Sequence, residues 1–259
     1  MTTTATSSTK TIDVPGVGPV ELTVEERGDG RPSLVLHGGA GPQSVSQFAQ
    51  LLAESGHNHV VAPTHPGFAG TTRPDALDSV AKLAMLCRGL LDELGLEDVT
   101  VIGNSVGGWI AAELALLGSP RISRLVLLDA VGIEVEGRSV ADVSGLSLPE
   151  IQALSFHDPV PFQVDPATVP DAQKAIMAAN GAALTVYAGS PAMADPTLLG
   201  RLSGVTVPTL VLWGESDQIV PPAYGRAFSA AIPGARFEVL PGTGHVPQME
   251  TPELVIQAI

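Results

Sequence analysis

The chain has 259 residues, of which 44% are hydrophobic and 15% charged, and its formal net charge is −14. This length supports a substantial core in one domain with room for an insertion, while 13 Lys and Arg against 27 Asp and Glu leave no basic surface to neutralise phosphates, which argues against nucleic acid as a partner. The single cysteine, Cys87, excludes a disulfide within the chain and fits a reducing compartment, and no apolar run is long enough to span a bilayer.

Residues 1–11 are rich in Thr and Ser and lack an apolar stretch, so they do not read as a secretory signal. Residues 1–8 are expected to form a mobile tail, and the chain a soluble cytoplasmic protein. A short strand at 11–14, the turn Pro15-Gly16-Val17-Gly18-Pro19 and an alternating strand at 20–26 make an opening hairpin. Gly28-Asp29-Gly30 then leads into the continuous apolar run 33–36.

Strands and helices alternate from there: helix 45–55, strand 59–62, helix 79–94, strand 98–102, helix 108–117 and strand 124–128, with further strands at 209–213 and 236–240. Val80, Leu83, Cys87, Leu90 and Leu94 recur at helical spacing, which turns the thiol toward the core. The pattern predicts an α/β fold with a mostly parallel sheet covered on both faces. Between 128 and 209 no strand pattern occurs, but helices are expected at 148–155, 171–187 and 197–202, punctuated by prolines. An interval this long reads as an inserted helical cap over 133–203, hinged at Val131-Gly132, with a core made of 9–132 and 204–259.

The chemistry centres on Gly103-Asn104-Ser105-Val106-Gly107, which falls between a β-branched strand and an apolar helix. A turn this tight exposes the serine hydroxyl at a helix N-terminus, where developing negative charge is favoured. A serine needs a base, and the base needs a carboxylate to hold its tautomer. Asp217, just past the strand 209–213, and His245, just past 236–240, supply both at the sheet edge that carries Ser105.

With these motifs, the His37-Gly38-Gly39 turn and the order Ser, Asp, His, the chain resembles the α/β-hydrolase superfamily over nearly its whole length, as a capped serine hydrolase of esterase, lactonase or C–C hydrolase type. The resemblance implies an eight-stranded sheet, a cap, and hydrolysis through an acyl-enzyme. It also implies an oxyanion hole made by the backbone N–H groups of Val106 and Gly39. A substrate pocket is assigned to His37, Gly38 and Ala40 from this loop and to Phe156, His157 and Phe162 from the cap, with His37 also suited to bracing its loop by hydrogen bonding. Relatives usually carry an aspartate where this chain has Thr64, so the hydrogen bonding of that loop is expected to differ.

Asp129, at the end of another strand, is an alternative to Asp217 as the acid. Gly39-Ala40-Gly41 is a poor dinucleotide loop, because Ser44 replaces the third glycine. His57 and His59 open a strand with no third ligand nearby, and no His-Glu-x-x-His occurs, so neither metal nor cofactor is expected. A serine nucleophile argues against dehalogenase and epoxide hydrolase chemistry, which in this family use aspartate there. The reading that follows is hydrolysis of a small, fairly apolar carboxylic ester or lactone, because the cap is rich in Ala, Leu, Val and Met. The alternatives are a C–C hydrolase of ring-fission-type substrates, suggested by Gly-Asn-Ser; an aminopeptidase, weakened by Ala40; and a triad-retaining small-molecule receptor.

Overall fold

A computed structural model describes residues 4–56, 58–143, 145–188 and 193–259; His57 lies outside the described residues. β1 (Thr6–Val14) and β2 (Gly18–Arg27) form the antiparallel hairpin, in register from Thr6↔Glu26 to Val14↔Gly18. The expected tail is therefore corrected at its inner end, since Thr6, Ser7 and Ser8 are ladder residues, while residues 1–3 lie outside the described set. Only Ile12 and Val14 of β1 are buried, so the apolar signal covers the end of a strand whose outer part is held by backbone pairing and by β-branched Thr.

The remaining strands are β3 (Arg31–Leu36), β4 (Asn58–Pro63), β5 (Val99–Asn104), β6 (Ile122–Leu128), β7 (Thr209–Gly214) and β8 (Arg236–Leu240). One eight-stranded sheet results, in the order β1-β2-β4-β3-β5-β6-β7-β8, parallel from β4 onward. Alternate residues of the central strands feed two cores, as period-two geometry requires. Val101, Leu125 and Val211 pack with α2 (Val80–Glu93) and α3 (Val106–Leu116), whereas Ile102, Val126 and Leu210 pack with α1 (Gln43–Glu54). Cys87 lies in the first core, where burial pushes its thiol up to about 12.

Between β6 and β7 lie α4 (Leu148–Ser155), α5 (Asp171–Ala188) and α6 (Leu198–Arg201). After β7 come α7 (Pro222–Ala231), started by Pro221-Pro222, and the short C-terminal helices α8 (Pro247–Glu250) and α9 (Pro252–Ala258). The expected hinge is a clamped junction. Gly132 donates to Met193 O at 3.1 Å and accepts from Asp195 N–H at 2.8 Å, and its Cα lies against Trp109 too closely for a Cβ. The Tyr224 hydroxyl accepts from Ile133 N–H at 2.8 Å and donates to Ile133 O at 2.6 Å, fixing the next residue.

Parallel register brings the carboxyl ends of β3, β5, β6, β7 and β8 to one edge. Leu36 pairs with Gly103, Asn104 with Leu128, and Gly214 with Leu240, so the loops that follow gather there.

Candidate active site

Ser105 caps α3 with φ 55° and ψ −120°, a region that a serine enters only when the surrounding structure imposes it. Its neighbours explain how the turn closes. A Cβ on Gly103 would overlap the carbonyl of Gly107, and one on Gly107 would overlap the carbonyl of Leu36. The Ser105 hydroxyl donates to His245 Nε2 at 3.0 Å. On the other side of the ring, Nδ1–H donates to Asp217 Oδ2 at 2.8 Å, which fixes the tautomer. Asp217 is held in turn, because its Oδ1 accepts the N–H groups of Ile219 and Val220, both at 2.8 Å. The three side chains expected to meet do meet, and a serine, imidazole and carboxylate so linked can move a proton from hydroxyl to ring.

Asp129 stands next to this chain. It is fully buried, one oxygen accepts Gly214 N–H at 2.8 Å, and Oδ2 has no hydrogen-bond partner among the described residues. Polar atoms of Asp129, Asp217 and His245 lie within 4.8 Å of one another. The relevant atoms of His245 and Asp217 are already paired with each other and with backbone N–H groups, so the cluster is a hydrogen-bonded relay with one unpartnered oxygen rather than a cradle for a metal. Burial, and then repulsion from Asp217, hold the Asp129 carboxyl well above the usual carboxylate range. A proton on Oδ2 turns the meeting of two acceptors into a hydrogen bond.

The loop after β3 lies over the serine. Gly38 approaches Ser105 so closely that a Cβ there would be 3.2 Å from the serine Cβ. A turn from Gly38 O to Gly41 N–H at 3.1 Å shapes residues 38–41. Val106 occupies the first position of α3, where N–H groups have no intrahelical acceptor. Beneath the loop, His37 and His65 are buried with ring centroids 3.9 Å apart. His37 Nε2 accepts His65 N–H at 3.1 Å, so Nδ1–H donates to Gly38 O at 2.8 Å, and His65 Nε2–H donates to His37 O at 3.2 Å. Burial lowers His37 to about 4 and His65 well below its ordinary value, so both are neutral. The loop that begins at Thr64 is braced by this pair and by the Thr71 hydroxyl, which accepts Gly67 N–H at 3.1 Å.

The members of the assigned pocket set lie in different settings, Phe156 among them beside the base loop, its Cα 2.8 Å from where a Cβ on Gly244 would sit. Of its members, Gly38 is buried against Ser105, whereas Ala40 is exposed. His37 is a brace with both ring nitrogens occupied, which corrects its place in the pocket. His157 is exposed, and its Nδ1 meets Ser216 Oγ at 2.7 Å, on the outside of the acid loop. Phe156 is buried and stacks on Phe162 with centroids 4.2 Å apart, so each ring fills space beside the other.

A model of the alpha/beta hydrolase family matches residues 34–258. The chain belongs to that family. This alpha/beta hydrolase is 34% identical over 122 residues to 2-hydroxy-6-oxo-2,4-heptadienoate hydrolase of Pseudomonas putida, a match covering 46% of this chain and 44% of that one, so the chain spans under half the length of that curated relative. It is 28% identical over 253 residues to 2-hydroxy-6-oxononadienedioate/2-hydroxy-6-oxononatrienedioate hydrolase 2 of Pseudomonas putida, covering 90% and 88%. Its fold is similar to that of a thermophilic esterase from Thermogutta terrifontis, with a TM-score of 0.76, 28% identity and coverage of 97% and 96%.

Residues beyond those predicted fasten this hydrolase's site to its surroundings. Asn104, within the serine motif, bridges three other elements through its amide. Asn180 lies on α5. Its spacing to Ala183, Leu184 and Tyr187 is the i, i+3, i+4, i+7 signature of a buried face, and that signal was available.

Proposed function

We propose that this protein is a serine hydrolase that cleaves a small, neutral carboxylic ester or lactone through an acyl-enzyme. The observation that carries this reading is the unbroken chain from Ser105 Oγ through His245 to Asp217. In the reaction, Ser105 Oγ attacks the acyl carbon as His245 Nε2 takes its proton, and Asp217 stabilises the imidazolium. The N–H groups of Gly39 and Val106 receive the oxyanion. Collapse expels the alcohol, protonated by His245, and water activated by the same imidazole releases the acid. The segment between β6 and β7 acts as the cap, and the partner is a small molecule.

A neutral substrate is favoured by the state of the cations in the cap and beside Gly67. Among the described residues of the cap, Arg138 donates to Ala223 O at 3.2 Å, Lys174 lies 3.7 Å from Asp171, and Arg201 forks onto Glu113 at 2.6 and 2.7 Å. Arg73, beside the loop of Gly67, is engaged by the carbonyls of Pro74, Asp75 and Leu77. A carboxylate on the substrate would have to draw one of these away.

C–C bond hydrolysis is the second reading, favoured by Gly103-Asn104-Ser105 and by relatives whose names are those of dienoate hydrolases. One experiment addresses both. A fluorophosphonate should label the parent and not Ser105→Ala, and initial rates on short esters, lactones and a vinylogous 1,5-diketone acid should rank the substrates. Equal labelling of the two proteins would remove the serine mechanism, and a preference for the diketone acid would replace ester hydrolysis by C–C fission.

A further inference from the structure

The cap is fastened to the two halves of the site in different ways. α4 is joined to the base loop largely through its backbone: His245 N–H donates to Ser155 O at 2.7 Å and Gln218 N–H to Leu154 O at 3.2 Å. α5 meets the oxyanion loop through side chains. Its first turns, residues 171–175, are exposed, and the helix becomes buried first at Asn180, which is 4% exposed.

The Asn180 amide spans two loops. Oδ1 accepts Ala69 N–H at 2.8 Å, and Nδ2 donates to Ala40 O at 3.2 Å. Gly41, with φ +94°, passes directly under the amide, where a Cβ would be 2.6 Å from Nδ2. One turn further along, Leu184 covers Gly39, its Cδ2 being 2.7 Å from where a Cβ would sit. Tyr187 ends the row by donating to Pro66 O at 2.8 Å. Ser105 is 6% exposed, and the helix that lies over the oxyanion loop is held there by the side chains of Asn180, Leu184 and Tyr187.

We infer that Asn180 is a positioning residue that couples the seating of α5 to the shape of the Gly38–Gly41 turn, so that the oxyanion donors are set when the cap is closed over substrate. The inference rests on the serine-hydrolase reading above. The turn carries the Gly39 N–H, and its Ala40 carbonyl is held by the Asn180 donor. When α5 lifts, Ala40 O loses that partner and Leu184 leaves Gly39, so the turn is free to relax. When α5 returns, the same contacts restore it. Binding energy gained by closing the cap is thereby spent on transition-state geometry, which appears in kcat rather than KM.

Asn180→Asp and Asn180→Ala test this. The first keeps the size of the side chain and the acceptor for Ala69 N–H but removes the donor to Ala40 O, and the second removes both. Hydrolysis of a short p-nitrophenyl ester is measured per Ser105 counted by stoichiometric fluorophosphonate, together with inhibition by a short alkyl trifluoromethyl ketone, to which Ser105 Oγ adds while its proton passes to His245, leaving an oxyanion in the same hole. We expect kcat to fall roughly 10- to 100-fold, KM to change by less than about threefold, and ketone affinity to fall in step with kcat. Parent-like kcat, or a change confined to KM, overturns the role of Asn180. If neither variant folds, hydrogen exchange of the parent decides: the ketone should protect residues 39–41, 69 and 180–187 together, and protection of 39–41 without 180–187 overturns it. A parent that neither labels nor turns over sinks the hydrolase reading and this inference with it, whereas a labelled, active parent with unaffected variants removes only the inference.

Discussion

Asn104 Nδ2 donates to the carbonyl of His245 at 2.9 Å and to that of Leu128 at 3.2 Å, while its Oδ1 accepts from Gln248 Nε2 at 3.1 Å. The residue before the proposed nucleophile thus holds the loop of the proposed base. Asn104→Ala removes the partner of the His245 carbonyl and of Gln248 Nε2, while the Leu128 carbonyl keeps the Ser105 N–H, and the expected loss is about 1–3 kcal/mol of stability for each unpaired group that water cannot reach. A misplaced imidazole should lower kcat roughly 10- to 100-fold in addition. A reduced melting temperature with unchanged kcat would leave Asn104 a purely stabilising role.

The two buried carboxyls separate by substitution. Asp217→Asn should lower kcat on the order of 10³- to 10⁴-fold, because the amide no longer fixes the imidazole tautomer. Asp129→Asn should retain most activity, since an amide supplies both the acceptor for Gly214 N–H and a donor toward Asp217. The reverse pattern would make Asp129 the acid.

Asp129 also predicts a pH dependence. Its folded value is raised above 3.8, so its stabilising contribution is complete below that pH and is lost as pH rises toward the folded value. Asp129→Asn should therefore gain stability relative to the parent as pH increases from 4 to 8, read as the difference in melting temperature. A constant difference would argue that the carboxyl is ionised throughout.

The histidine pair acts in the opposite sense. With His37 lowered from 6.5 to about 4, the unfolded chain binds a proton that the folded chain refuses between those values, so stability is complete above pH 6.5 and falls as pH drops through the window. The contribution of His37 approaches about 3 kcal/mol at the acid end, and His65 adds in the same direction. Urea titrations at intervals from pH 7 to 4 should show this slope, and His37→Asn should reduce it.

Two glycines test close approach. Gly103→Ala places a methyl inside the Gly107 carbonyl and should prevent native folding. Gly39→Ala meets only the flexible end of Leu184, so the protein should fold while ester turnover drops as α5 is pushed outward. A folded, active Gly103→Ala variant, judged by circular dichroism and turnover, would mean that the serine turn can open.

The strands were legible because each is a short β-branched run whose alternation feeds two cores, as Val101 and Ile102 illustrate. Ser105, Asp217 and His245 were legible because each sits at a strand end, where parallel topology leaves little choice of edge. The outer half of β1 was not, since backbone pairing holds Thr6 to Ser8 without an apolar signal. α7 carries no motif of its own in the sequence, and its start is set by Pro221 and Pro222. His37 and His157 mark a limit of another kind: a sequence places an imidazole near a site but does not say which hydrogen bonds have already used its nitrogens.

The bond from His245 N–H to Ser155 O bears on how such a protein can be dissected. Asp158 N–H, just beyond α4, is bound to Glu250 at 2.9 Å, so the chain from α4 to that point is built into the floor of the base loop. Cutting out 133–203, or grafting a relative's segment between those points, would remove that floor along with the roof. A chimera joined after residue 158 would keep the imidazole's support and exchange only the part that meets the oxyanion turn.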